Sequence, residues 1–180
     1  MIYFTSDTHF GHNNNIKYSN RPFQSILEHD EILIENWNNI VKPGDDIYHL
    51  GDVGLCSKQY LISILERLNG NKFLILGNHD YKYKNLLQKY FIFIKDIHIL
   101  EIKKNDIYPI VNIILCHYAM QVWPKSHFGS WSLYGHSHGG LQEDDNLMSF
   151  DVGVDCWEYK PISLLQVCEK MKQKIERKRK

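Results

Sequence analysis

Met1-Ile2-Tyr3-Phe4-Thr5-Ser6-Asp7-Thr8-His9 opens the chain. Ile2 to Ser6 is short, apolar and rich in β-formers, which predicts a buried first strand. A carboxylate and an imidazole follow at once, where the strand must give way to a loop. The same design recurs twice. Asp46 to Leu50 runs into Gly51-Asp52, and Lys72 to Leu76 runs into Gly77-Asn78-His79-Asp80. Helical signals fill the gaps. Ser25-Ile26-Leu27-Glu28 has the S-x-x-E form of a capping box. Ile26, Leu33, Trp37 and Ile40 then keep a helical spacing until Pro43-Gly44. Ser57 can cap a second helix, with Leu61, Ile64, Leu65 and Leu68 on one face and Asn69-Gly70 as its stop. Tyr83 to Tyr90 reads as a short third helix, so the first half is βαβαβα.

The second half changes character. Ile92, Ile94, Ile97, Ile99, Ile102, Val111, Ile113 and Leu115 are β-branched-rich and partly alternating, which predicts two or three antiparallel strands between Phe91 and Cys116. Trp131 to Tyr134 and Met148 to Val154 read as two more. Ser163 with Gln166 can cap a last helix, with Leu164, Cys168, Met171 and Ile175 facing inward. This order predicts an α/β chain with a mixed sheet, or two sheets facing each other. Residues 1–169 read as one domain and 170–180 as a basic helix end or tail.

Composition narrows the class. A length of 180 residues fits one domain. Apolar residues at 43% and charged residues at 23% exclude a mainly disordered chain. No apolar run approaches the ~18 residues of a membrane span. No basic and then apolar leader precedes Asp7, so the expected location is the cytoplasm. The cysteines Cys56, Cys116, Cys156 and Cys168 form no CxxC pair and read as buried or free thiols. Residues 170–180 hold seven Lys or Arg against one Glu, a local +6 in a chain of net charge zero.

Five segments place Asp, Asn or His where a strand yields to a loop: Asp7-Thr8-His9, Gly51-Asp52, Gly77-Asn78-His79-Asp80, His117 and Gly135-His136-Ser137-His138. In open α/β sheets, ligands collect beyond the carboxyl ends of the strands. Taken singly, each segment reads as a turn, with glycines supplying positive φ. Taken together, they can converge. Asp7 and His9, like His136 and His138, are two apart and share a face if the strand persists. The pool of two carboxylates, one amide oxygen and four imidazoles suits Zn, Mn, Fe or Ni better than Mg or Ca. Seven ligands exceed the needs of one transition metal. With one carboxylate shared, they divide into two sets of four.

In this order the blocks D-x-H, G-D, G-N-H-[DE], H and G-H-x-H resemble those of the calcineurin-like metallophosphoesterases. Ser6 to His12 and Asp151-Val152-Gly153-Val154-Asp155 also resemble a small bacterial and phage branch that lacks large insertions. The resemblance implies a sandwich of two mixed β-sheets flanked by helices. It implies two divalent transition-metal ions, one on Asp7, His9, Asp52 and His138, the other on Asp52, Asn78, His117 and His136. The implied activity is hydrolysis of a phosphate ester by a metal-bridging hydroxide. His79 would then protonate the leaving group. Asp80 would orient His79 or cap the following helix. His12 and Asn13 follow the D-x-H turn and could touch substrate phosphate, as could His127. His29, His49 and His98 read as structural.

One departure bears on the substrate. Protein Ser/Thr phosphatases of this superfamily carry an arginine shortly after G-D and have G-N-H-E. Here Val53-Gly54-Leu55-Cys56 follows Asp52, and the third block ends in Asp80. A dianionic monoester therefore lacks one cationic partner, and phosphodiesters are favoured. A nucleic-acid partner is the alternative, through Lys170, Lys172, Lys174, Arg177, Lys178, Arg179 and Lys180. A solvated helix end, suited to the helix dipole, is the plainer reading of that run. Oligomeric state is not readable from the sequence.

Overall fold

The computed structural model describes residues 1–103 and 111–178. Two mixed sheets face each other, with helices outside the first. The first sheet is built from β1 (Ile2–Thr5), β2 (Asp46–His49), β3 (Asn71–Ile75), β4 (Ile94–Lys95) and β9 (Ile162–Ser163). Its order is β4-β3-β2-β1-β9. β1 to β4 pair in parallel, and β9 closes the edge antiparallel to β1. The second sheet is built from β5 (Ile97–Ile102), β6 (Val111–Cys116), β7 (Trp131–Tyr134) and β8 (Ser149–Asp151), in the order β5-β6-β7-β8. β5 and β6 are antiparallel, and β6, β7 and β8 are parallel.

Side-chain alternation divides the core. Phe4, Tyr48, Phe73 and Ile75 point between the sheets, against Ile113, Leu115, Leu133 and Phe150. Their neighbours Tyr3, Ile47 and Leu74 point the other way, under the helices α2 (Ile26–Ile40) and α3 (Lys58–Leu65). α2 buries Leu33, Ile34 and Trp37; α3 buries Leu61, Ile64 and Leu65. Both expected caps form: Ser25 Oγ accepts from Glu28 N, and Ser57 Oγ accepts from Tyr60 N. Full burial of a side chain such as Phe4 contributes roughly 1.5–3 kcal/mol.

Several expectations are corrected. Of the two or three antiparallel strands expected between Phe91 and Cys116, β5 and β6 form as a pair, while β4 joins the first sheet in parallel with β3. The Tyr83–Tyr90 helix is shorter, a 3-10 turn over Asp80–Tyr83 followed by α4 (Lys84–Leu87). The short helix α1 (Asn13–Tyr18) carries no sequence signal. The last helix, α5 (Leu164–Lys178), has its Ser163–Gln166 cap, but turns Lys174 inward and leaves Ile175 partly exposed. Among the described residues, no helix is long and apolar enough to cross a membrane.

Candidate metal centre

All five segments meet at one rim. β1 stops at Thr5 and β7 at Tyr134, so strand alternation does not aim Asp7 and His9, or His136 and His138, at the rim. Left-handed backbone does. Asp7, His9, Asp52, His136 and His138 have φ of 57°, 50°, 58°, 67° and 48°. Asp and His tolerate this region better than most residues, but a non-glycine there still costs of order 1–3 kcal/mol. Hydrogen bonds between the loops hold the geometry. Asp7 N donates to Gly51 O, His9 N to Asp52 O, and His136 N to Asp7 Oδ2.

Two ligand clusters share no residue, Asp7–His9–His138 and Asp52–His117–His136, and a third, His9–Asp52–His79, links them; the donor atoms of each lie within 4.8 Å of one another. Asp52 lies between them. Its Oδ2 is 3.7 Å from His9 Nε2 and 3.7 Å from His117 Nε2. Asn78 Oδ1 is 3.3 Å from His117 Nε2, within the second cluster. The residues fit a cation on a direct test. Asp7 Oδ1 and His9 Nε2 are buried, face each other at 3.8 Å, and have no hydrogen-bond partner. Burial pushes the Asp7 carboxyl up to about 8, and the nearby Asp151 and Asp52 carboxylates add to the rise. A divalent ion would relieve both the orphaned lone pairs and this penalty. The imidazoles are also set for ligation. His117 Nδ1 meets Leu50 O at 2.6 Å and His138 Nδ1 meets Asp155 Oδ2 at 2.6 Å, so each donates there and leaves Nε2 to the cluster.

The block glycines serve close approach more than positive φ. A Cβ on Gly135 would overlap Ser6 Oγ and the Asp7 carboxylate, and one on Gly77 would overlap the Asp52 carboxylate and amide. Gly135→Ala is therefore expected to push Asp7 aside. Overpacking should cost about 1–3 kcal/mol in urea unfolding of the metal-free protein. A misplacement near 1 Å should lower turnover about 10²-fold. Wild-type metal content and turnover in this variant would show that Asp7 yields without loss.

Asp80 corrects the sequence reading. It is buried, and its carboxylate accepts from the backbone N–H groups of Asp52, Val53 and Gly77 at 2.8–2.9 Å. It thus fixes the turn that aims Asp52, and makes no hydrogen bond to His79 among the described residues. Burial pushes its carboxyl up to about 6 against the lowering effect of those three donors. His79 lies at the mouth of the site, with its side chain 34% exposed and Nε2 3.8 Å from Asp52 Oδ2. His12 is half-buried beside it, with ring centroids 5.8 Å apart. Asn13 is exposed at the start of α1. His127 is exposed, with its ring against Phe128 rather than against the clusters. His49 is buried, contacts Thr8 Oγ1 at 2.9 Å and is pushed down to about 3 by burial, a neutral packing residue.

Sequence reasoning missed Arg21, which is buried behind the first cluster, and gave Asp155 no role. Tyr118 is 46% exposed, and its ring centroid is 4.9 Å from both His117 and His136. A lone tyrosine or arginine carries no pattern that would reveal such placements.

The basic run has partners within the chain. Lys170 and Lys174 pair with Glu143, Arg177 pairs with Asp145, and Lys178 donates to Asn146 O. These acceptors form the acidic loop between His138 and β8. Arg179 and Lys180 lie outside the described residues.

Similarity to known proteins identifies the family. Residues 1–158 match the calcineurin-like phosphoesterase family. An uncharacterized protein of Methanocaldococcus jannaschii is 34% identical over 170 residues, which cover 91% of this chain and 86% of that protein. The Gene 66 protein of Mycobacterium phage D29 is 26% identical, over 87% of this chain and 88% of its own. Among solved structures, a protein of unknown function from Aquifex aeolicus superposes with a TM-score of 0.74 at 29% identity, covering 94% of this chain and 98% of that one. The matched span takes in every segment that meets at the rim, and the chain belongs to the calcineurin-like phosphoesterase family.

Proposed function

We propose that this chain hydrolyses phosphodiesters with two divalent transition-metal ions, Mn, Fe, Zn or Ni. Asp7, His9, Asp52 and His138 would hold one, and Asp52, Asn78, His117 and His136 the other. One observation carries the reading: the Asp52 carboxylate lies 3.7 Å from an imidazole of each cluster. When bound, the cations supply positive charge that polarises the phosphoryl oxygens and lowers the pKa of a coordinated water.

The chain's own residues do the rest. Asp52, shared by the two clusters, sets their separation. His117 and His138 present Nε2 because Leu50 O and Asp155 take their Nδ1–H groups. His79, partly exposed at the mouth, delivers a proton from its ring to the departing oxygen. His12 and Asn13 would meet a non-bridging phosphate oxygen from the same side.

Charge supports a diester. The described arginines are all committed: Arg21 to Asp155, Arg67 to Glu31 and Arg177 to Asp145. None of these remains to meet the second negative charge of a monoester. Exposed rings also flank the clusters, Tyr118 beside His117 and His136, and Tyr18 with its centroid 6.5 Å from His12. They offer surface to a substituent on either side of phosphorus. With Mn or Ni supplied, bis(p-nitrophenyl) phosphate should turn over at least about tenfold faster than p-nitrophenyl phosphate, or about 1.4 kcal/mol in the barrier. Faster monoester cleavage would overturn the diester assignment. No turnover of either by folded, metal-loaded protein would overturn the hydrolase reading itself.

A further inference from the structure

Arg21 is the most enclosed cation near the clusters; its side chain has no exposed surface. Its Nε donates to Asp155 Oδ1 at 2.8 Å and its Nη2 to Asp155 Oδ2 at 2.7 Å, a bidentate pair. The remaining donors reach other loops. Nη2 also donates to Asp7 O at 2.7 Å, and Nη1 to Thr8 O at 3.1 Å and His29 Nε2 at 2.7 Å. Arginine has only donors, so His29 Nε2 must accept. His29 Nδ1 then donates to Asp30 Oδ1 at 2.7 Å. Asp30 Oδ2 in turn accepts from Gly11 N at 2.9 Å and from Tyr60 Oη at 3.0 Å. A continuous buried chain thus runs from α2 and α3 to the metal-binding loops.

Its far end is His138, whose Nδ1 lies 2.6 Å from Asp155 Oδ2. That carboxylate oxygen is shared between Arg21 Nη2 and His138. The bond fixes the imidazole's tautomer and turn, and aims Nε2 toward Asp7, 3.9 Å from its Oδ1. One guanidinium therefore grips the backbone of Asp7 and Thr8 and, through Asp155, the ring of His138. Both contacts serve a single cluster. In the other, His117 is oriented by the Leu50 carbonyl, and Arg21 and Asp155 make no hydrogen bond to Asp52, His117 or His136.

We infer that Arg21 and Asp155 are positioning residues for the Asp7–His9–His138 cluster alone, and that they set the affinity of one cation of the pair. The inference rests on the two-cation reading above. It predicts unequal damage. Removing a carboxylate that orients a metal-bound histidine typically weakens the site 10–100-fold. In Asp155→Asn, one equivalent of Mn²⁺ should bind as in the wild type, and the other about 10–100-fold more weakly. Arg21→Lys keeps the charge but loses the fork, and should show the same split more mildly.

The experiment is Mn²⁺ titration of the full-length chain after chelator treatment, read by equilibrium dialysis and electron paramagnetic resonance. Wild-type protein should give the spectrum of a coupled manganese pair at two equivalents. Both variants should give an isolated-ion spectrum at one equivalent, with a pair signal only at higher Mn²⁺. Unchanged affinity at both equivalents in either variant would overturn the inference. So would equal weakening of both, which is what general loosening produces. Should Asp155→Asn fail to fold, Arg21→Lys carries the test alone. Wild-type protein that binds fewer than two equivalents would overturn the two-cation reading, and this inference with it, whatever the variants do.

Discussion

Asp52→Asn should abolish turnover, by about 10⁴-fold or more, while the protein stays folded. The substitution preserves shape: the side chain is buried, and its Oδ1 accepts from His79 N at 2.9 Å, which an amide oxygen can also do. What it removes is the negative charge on Oδ2, the atom within 3.8 Å of His9, His79 and His117. As the ligand shared by the two proposed cations, Asp52 would act on both, so several kcal/mol of charge stabilisation in the transition state would be lost at once. At about 1.36 kcal/mol per tenfold, that gives the expected collapse. Metal content should fall toward one equivalent or less by elemental analysis. Metal-free stability should not fall. Asp52 is one of the carboxylates that hold the Asp7 carboxyl up, so removing its charge relieves repulsion among buried groups. An Asp52→Asn variant that retains both its metal and its turnover would refute the bridging role.

The distinction between charge and shape also explains what is legible beforehand. The ligand letters stand out because Asp, Asn or His follows a strand five times in one chain, although each segment alone is an ordinary turn. Their convergence can be anticipated from strand ends, but its cause cannot. Asp7 and His9 come together through two left-handed residues around Thr8, not through strand alternation. Spacing of two is the same in both cases, and only backbone conformation separates them. The glycines mislead in a similar way. G-N-H-D reads as a turn, yet Gly77 matters because any Cβ there would overlap the Asp52 carboxylate. Close approach between residues far apart in the chain leaves no local pattern.

Helices are legible where period and caps agree, as in α2 and α3. Strand pairing is not, since the β-branched Ile94 of β4 says nothing about which neighbour the strand will take. The basic run shows the limit most plainly. As letters, seven cations suggest a phosphate-binding arm. In space, Lys170, Lys174 and Arg177 meet Glu143 and Asp145, on the loop that leads into β8. Charge that looks surplus in one segment can be balanced by another, and composition alone cannot tell the two apart. Exposed pairs of this kind contribute little each, but Lys174 is fully buried, so its pairing with Glu143 and Asp144 O is a condition of burial rather than an ornament of the surface.

His79→Asn should lower turnover about 10³-fold for a diester with an alkoxide leaving group and leave metal content unchanged. The geometry makes this a discriminating test, because it permits two roles. His79 offers a ring nitrogen within 4.8 Å of donor atoms on His9 and Asp52, so these three could hold a cation between them. It is also the most exposed of the three, at the mouth where a leaving group departs. If it is a ligand, the His79→Asn variant should lose metal, and all substrates should suffer alike. If it is the acid, the loss should depend on how much the leaving oxygen needs a proton. Nitrophenolate leaves readily as the anion, so bis(p-nitrophenyl) phosphate should show a defect nearer tenfold, and an alkyl diester the full effect. A defect of equal size across leaving groups, together with lost metal, would move His79 from proton donor to ligand.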